Sequence, residues 1–448
     1  MKRRLLISFI CISLCFPFVV LADSGSARPG CEICGMYIDQ YHRTSTHLTF
    51  KNGETKDTCG VACMLRIVND KGGPDAFSKI EVRDWKSKRT IPAADAHYVI
   101  GSRLIPDMMP NLIAFEKLDD AEAFRLKEGG AILNFTQGLM SISPMGMTMP
   151  ARIKTAVLPP QGALNFGIGY MYMSMDKVQL GSDSIDPEDF IKRPGQLSAP
   201  KKMTSKATML MANYGITDKL SLGVNAAYFD KKMESYKMGG KVTETTTNSG
   251  YGDIDATFRY NLWNDVYYSK FLTVLAGSTL PTGEFETKYI TMPGLQIGTG
   301  DFSFTGGLLF SHRFKDLWFH YQGTYTAMLE NSDDYKFGDI TRAGAALHYT
   351  PTYDFMVGLE VDGAWYAKDE YRNAELNNTG GFRSYLTGVA DWKFLTALGG
   401  TFSVRATGGI PIYEDINHER VGSMEKTKMG GGYFASAMVS FNRRFPFD

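Results

Sequence analysis

Sulfur is the chemistry this chain concentrates. Cys31-Glu-Ile-Cys34-Gly35-Met36 and Cys59-Gly-Val-Ala-Cys63-Met64 place two thiol pairs, each with a methionine close behind, in one short N-terminal stretch. Thiolate and thioether together select soft ions, above all Cu(I), over harder divalent metals. Each pair is close enough in sequence to chelate one ion. Four thiolates at such spacing also suit structural zinc, and an oxidising compartment would let them form two disulfides. A third chemistry is thiol–disulfide exchange by a Cys-x-x-Cys couple with a lowered pKa, although the βαβ pattern that frames thioredoxin-like motifs is missing. Met36 and Met64 tilt the balance to copper, because zinc sites seldom use thioether. The candidate metal ligands are Cys31, Cys34, Met36, Cys59 and Cys63. His42 and His47 lie near the first pair and read better as exposed loop residues than as ligands.

The rest of the chain must position this cluster. Residues 1–22 read as a secretory signal: Lys2, Arg3 and Arg4, then the apolar run Leu5 to Val20, then the small-residue cleavage site Val20-Leu21-Ala22. Removing it takes Cys11 and Cys15, leaving four of the six cysteines, all between residues 31 and 63. A net charge of zero argues against a nucleic-acid partner. With seven histidines and no nucleophile motif beside one, a hydrolytic enzyme is disfavoured. No later segment has the apolar length of a spanning helix, so membrane insertion would require a barrel.

Residues 23–150 have an α+β texture. Thr46 to Phe50 alternates as a strand and ends at the hairpin dipeptide Asn52-Gly53. Cys59 to Val68 reads as a helix, which would put Cys59 and Cys63 one turn apart on one face. Asp119 to Arg125 reads as a second helix stopped by Gly129-Gly130. Pro144, Pro150, Pro159 and Pro160 mark an extended linker, assigned to residues 151–163. Met145, Met147 and Met149 alternate in a short extended run just before it, so their sulfurs would share one face.

From Leu164 to the end, segments of about ten residues alternate apolar with small or polar residues, as transmembrane barrel strands do. Twelve segments fit: 164–175, 205–216, 219–229, 253–263, 270–280, 302–313, 317–328, 342–350, 354–366, 382–392, 401–410 and 431–442. Connections alternate short (217–218, 314–316, 351–353) and long (176–204, 230–252, 411–430). Short turns are periplasmic in such barrels, so the sulfur-rich domain is expected in the periplasm. Alternation also assigns faces. Leu164, Phe166, Ile168, Tyr170 and Tyr172 suit lipid, which turns Met171, Met173 and Met175 inward; on the next strand Met209 and Met211 point inward with Asn213. A Met ladder of this kind would pass Cu(I) by thioether exchange; inert lumen packing is the plainer alternative.

Two resemblances sharpen this reading. Cys31 to Ile38, Asp57-Thr-Cys59-Gly60 and Pro144-Met-Gly-Met147-Thr-Met-Pro150 resemble the NosL family of nitrous oxide reductase accessory proteins, which are exported Cu(I) chaperones. The resemblance makes Cys34 and Met36 the strongest candidate ligands, with a histidine completing the site. Gly250-Tyr-Gly-Asp-Ile-Asp255 and Leu280-Pro-Thr-Gly283 are similar to outer-membrane transporters of the phenol-degradation-pathway type.

The expected protein is a small α+β periplasmic domain followed by an all-β transmembrane barrel of about twelve antiparallel strands, residues 164–448. Its expected function is Cu(I) capture at the outer membrane, for hand-over to a periplasmic cuproenzyme or for transport across the barrel. A periplasmic thiol–disulfide oxidoreductase on a barrel anchor is the alternative.

Overall fold

The computed structural model describes residues 28–145 and 148–445. The expected signal segment and Met147 lie outside the described residues.

The N-terminal domain is built on two small antiparallel sheets. β1 (Thr46–Phe50) and β2 (Thr55–Thr58) form the hairpin expected around Asn52-Gly53, and β3 (Phe77–Arg83) and β4 (Thr90–Pro92) extend it. Between β2 and β3 runs α1 (Val61–Asp70), in which every residue from Val61 to Val68 is buried, so this helix is driven by packing rather than by amphipathic balance. β5 (His97–Ile100) pairs with β6 (Leu112–Phe115) and with β7 (Ala131–Leu133) in the second sheet. α2 (Leu118–Glu128) carries Asp119 and Asp120 in its first turn and stops at Gly129, whose φ of +77° only glycine adopts readily. α3 (Phe135–Ser141) starts from a capping box between Asn134 and Gln137. Leu48, Leu65, Ile67, Tyr98 and Leu112 form a single core, into which Cys31, Cys59 and Cys63 are packed.

Twelve long strands follow: β8 (Ala163–Met175), β9 (Ala199–Thr217), β10 (Leu220–Lys237), β11 (Ile254–Asn264), β12 (Lys270–Leu280), β13 (Ser303–Phe314), β14 (Leu317–Met328), β15 (Ile340–Tyr349), β16 (Phe355–Tyr366), β17 (Gly381–Ala397), β18 (Gly400–Ile416) and β19 (Tyr433–Arg444). Each pairs antiparallel with the next, and β19 pairs with β8, so the sheet closes into a barrel with no free edge. Large apolar side chains cover its outside: Ile168 is 51% exposed, Leu308 56%, Trp365 50% and Val439 50%. An apolar belt of this extent matches a lipid environment, not water. Phe166, Tyr170, Leu210 and Tyr214 face outward as the alternation predicts.

Two expectations change. The 230–252 connection is not a loop: β10 runs on to Lys237, and Val242–Tyr251 pairs back along it as a hairpin. Its threonine-rich, β-branched sequence favours a strand, but it is polar on both faces and therefore gave no membrane-strand pattern. Segments 176–204 and 411–430 likewise contain structure, with Lys177–Leu180 pairing against Lys428–Gly430.

The second change concerns the expected linker. The chain is extended there, but it runs inside the barrel, from Thr148 to Ala156. Lumenal side chains satisfy its backbone: Ala151 N and Arg152 N donate to Glu360 at 2.6 and 2.9 Å, Lys154 N donates to Gln322 at 2.7 Å, and Ala156 N donates to Ser311 Oγ at 3.0 Å. Arg152 grips Asp362 through Nε and Nη2, at 2.5 and 2.9 Å. His320, fully buried, sits between Thr148 Oγ1 at 2.9 Å and Thr155 Oγ1 at 3.2 Å. Backbone without sheet partners survives at membrane depth only when protein groups satisfy it, and the polar lumen does so here.

The N-terminal domain caps the end of the barrel that carries the short turns. Arg444 donates to the Ile105 carbonyl at 3.0 Å and Arg313 to the Ser141 carbonyl at 2.5 Å, while Tyr353 packs against the domain core.

Candidate metal centre

The first thiol pair sits on a tight knuckle. Cys31 N donates to the Met36 carbonyl at 2.9 Å and Gly35 N to the Cys31 carbonyl at 2.7 Å, which folds the two sulfurs to the same side. Gly35 makes the knuckle possible with φ +74°, and a Cβ there would also collide with the Gly400 carbonyl on the β17–β18 turn. The Cys-Gly-Met spacing thus serves both the knuckle and the docking onto the barrel.

The second pair differs from expectation in one respect. α1 begins at Val61, so Cys59 precedes it, at the end of the β2 hairpin, with extended Gly60 between. The Cys59 carbonyl accepts from Thr44 Oγ1 at 2.8 Å, and Gly60 stays small because Asp107 Oδ2 occupies the space a Cβ would take. Cys63 lies in the first turn of α1.

All four sulfurs come together within 4.8 Å of one another. Cys34 Sγ is 3.4 Å and Cys63 Sγ 3.7 Å from Cys59 Sγ. All four are free thiols, far from the roughly 2.05 Å of a disulfide. Cys31, Cys59 and Cys63 are fully buried and Cys34 is partly exposed. Hydrogen bonds from Cys34, Cys59 and Cys63 hold the Cys31 thiol well below its ordinary pKa. The same bonds to Cys31, reinforced by burial, push Cys34 and Cys59 well above theirs. Burial raises the neighbouring Asp107 carboxyl to about 6. A cluster with one ready thiolate and further thiols that ionise on demand is suited to a soft cation.

The histidines do not join it. His47 pairs at the surface with Asp57 at 2.6 Å, and His42 is exposed. Met64 is packed into the domain core, whereas Met36, also buried, lines a cavity together with Cys34. This cavity, of about 220 Å³, runs from the thiol knuckle into the barrel lumen, and further thioethers line it: Met108, Met109, Met145, Met149, Met211, Met356 and Met438. Of the lumenal methionines expected on the first two barrel strands, Met211 reaches it. Met175 instead packs at the opposite end, with Met203, Met233 and Met429. Met356 and Met438 escaped the sequence reading although both obey its period-two rule, each lying between exposed neighbours (Phe355 and Val357, Ala437 and Val439). Met108-Met109 stands in an irregular loop, where no periodicity could have flagged it.

A curated relative, the HTH-type transcriptional repressor CutR of Bacillus subtilis (strain 168), is 30% identical over 110 residues, which is 24% of this chain; the chain spans 56% of that relative's length. Among solved structures, an outer membrane channel from Pseudomonas putida F1 aligns over 67% of this chain and 100% of its own, at 13% identity and a TM-score of 0.48. The copper chaperone NosL from Shewanella denitrificans aligns over 25% of this chain and 90% of its own, at 23% identity and a TM-score of 0.24. Residues 219–389 match the family model "Putative MetA-pathway of phenol degradation". Residues 25–139, which hold all four thiols, match the NosL family model, so the chain joins a NosL-like N-terminal domain to a barrel that resembles the MetA-pathway family.

Proposed function

We propose that this protein is an outer-membrane barrel whose periplasmic N-terminal domain captures Cu(I) with Cys31, Cys34, Cys59 and Cys63, assisted by Met36, and hands it toward the barrel. One observation carries the reading: four thiols within 4.8 Å of one another open, through the partly exposed Cys34, onto a cavity lined by thioethers that continues into the lumen. Four thiolates alone would serve zinc equally well. A soft thioether lining next to the exit sulfur has no use for zinc, but it offers Cu(I) a second kind of ligand. The apolar outer belt supports placement in a membrane, and the cap on the short-turn end supports a periplasmic position for the domain. The oxidoreductase alternative fits less well, since reactive thiols sit in partly exposed surroundings and three of these four are fully buried. The cavity favours hand-over into the barrel above hand-over to a periplasmic cuproenzyme, because the open side of the cluster faces the lumen.

Competition of the reduced full-length protein against a Cu(I) chelator tests this. Cys34→Ser, which exchanges a soft anionic ligand for a neutral hard one, should weaken binding most, and Met36→Leu should weaken it less. Unchanged affinity in both variants would remove these residues from the site.

A further inference from the structure

We infer that the cavity contains a second Cu(I) site made of thioethers alone, centred on Met211 and Met438 where they face each other across Gly167. This rests on the copper reading above and extends it, by giving the captured ion a place to go.

The geometry is specific. β8 lies between β9 and β19, so Gly167 sits between the strand that carries Met211 and the strand that carries Met438. At the point where a Gly167 side chain would begin, Met438 Sδ is 3.1 Å away and Met211 Sδ 3.4 Å away. With no side chain at Gly167 the two methionines close over it, Met211 Cγ also lying 3.1 Å from that point, so both sulfurs converge above one glycine on the lumenal face. Met356 on β16 packs with Met145, which precedes the plugging segment, and both line the same cavity as Cys34 and Met36.

Methionine commonly fills irregular gaps in packed interiors, and the Met175 group at the far end is accounted for in that way. The Met211–Met438 pair is different, because both residues line the cavity that reaches Cys34, which the Met175 group does not. The charges nearby set how tightly each site holds the ion. Arg259, Lys393, Arg443 and Arg444 line this cavity against Asp391 and Arg405, which neutralise each other at 2.7 Å. Such a lining repels a hydrated cation while offsetting the negative charge of a thiolate-bound Cu(I) at Cys34. An ion entering the lumen then moves by exchange between sulfurs, not by diffusion through water. Neutral thioethers in positive surroundings hold Cu(I) less tightly than four thiols, so the two sites fill in order.

The test is a Cu(I) titration of the full chain in detergent micelles, reduced and anaerobic, against chromogenic Cu(I) chelators of graded affinity. The wild type should show a tight class and a weaker one. Met211→Leu with Met438→Leu preserves volume, a kind of swap that usually costs less than roughly 1.5 kcal/mol, and should lose the weaker class while keeping the tight one. Heat-modifiable gel migration checks that the barrel is assembled. Cys34→Ser should weaken the tight class and leave the weaker one. The inference is overturned if the assembled double variant keeps both classes, or if the wild type shows the tight class alone; either result leaves the capture role standing. A wild type with neither class overturns the capture role as well.

Discussion

The thiol cluster makes a quantitative statement about how Cu(I) affinity should vary with pH. Metal ligation requires thiolates, so every thiol still protonated in the empty site must release a proton on binding. Cys31 is held below its ordinary pKa by the hydrogen bonds it accepts and contributes less to that release than its neighbours. Cys34 and Cys59 are held well above theirs, first by their bonds to Cys31 and then by burial, and each gives up a proton. One displaced proton strengthens binding by about 1.36 kcal/mol per pH unit, tenfold in affinity. Two displaced protons give at least a roughly 100-fold gain for each unit of pH between 6 and 8. Affinity therefore rises with pH across this window. The assay is chelator competition at a series of pH values, corrected for the chelator's own titration. In Cys59→Ser one of these protons is gone and the gain per unit should fall by about tenfold. A pH-independent affinity, or an undiminished slope in Cys59→Ser, would refute the account of the cluster as a set of coupled thiols that ionise upon binding.

Further predictions concern the scaffold. Burial raises Asp107 from its ordinary 3.8 to about 6, so its ionised form opposes folding: the contribution to stability is present below about pH 4 and lost as pH rises through 6, by roughly 3 kcal/mol. Asp107→Asn should make domain stability flatter across pH 4 to 7 in thermal melts; an equally steep profile would show that Asp107 is not the source. Gly35→Ala forces a side chain into a left-handed turn at about 1–2 kcal/mol and against the Gly400 carbonyl, so it should loosen the domain from the barrel and speed proteolysis between them. Asp362→Ala leaves Arg152 in the lumen without its carboxylate, weakening the plug by roughly 3 kcal/mol, and should raise conductance in planar bilayers; unchanged conductance would mean the other lumenal hydrogen bonds suffice. A protease tag in the 237–242 hairpin turn should be cut on intact cells and one at 217–218 should not, if the short turns are periplasmic.

Much of this architecture is written locally in the sequence. All twelve barrel strands follow from period-two alternation, and eleven of the twelve expected starts and nine of the twelve expected ends fall within two residues, because lipid on one face and polar lumen on the other impose the pattern directly. The strands β9, β10, β17 and β18 run longer than read, since beyond the membrane both faces meet polar surroundings and the alternation fades. The four thiols were visible as pairs, but their convergence depends on the β1–β2 hairpin bringing Cys59 beside the Cys31–Cys34 knuckle, a tertiary contact with no local signature. The helix start two residues late reflects Gly60, kept extended by the Asp107 carboxylate from a distant loop. Least legible was the plug. Thr148 to Ala156 reads as a proline-bounded linker, and Glu360 and Asp362 of β16, His320 and Gln322 of β14 and Ser311 of β13, all distant in sequence from it, turn it into lumen filling.

The central claim is that one soft ion sits among Cys31, Cys34, Cys59 and Cys63. X-ray absorption at the copper edge, on full-length protein purified anaerobically under reducing conditions and loaded with Cu(I) in the presence of excess Zn(II), tests it most directly. The account predicts retained copper in the Cu(I) state with sulfur as its only neighbours, and loss of that signal when Cys34 and Cys59 are both changed to serine. Zinc retained in place of copper, copper bound through nitrogen or oxygen, or an undiminished sulfur signal in the double variant would contradict it.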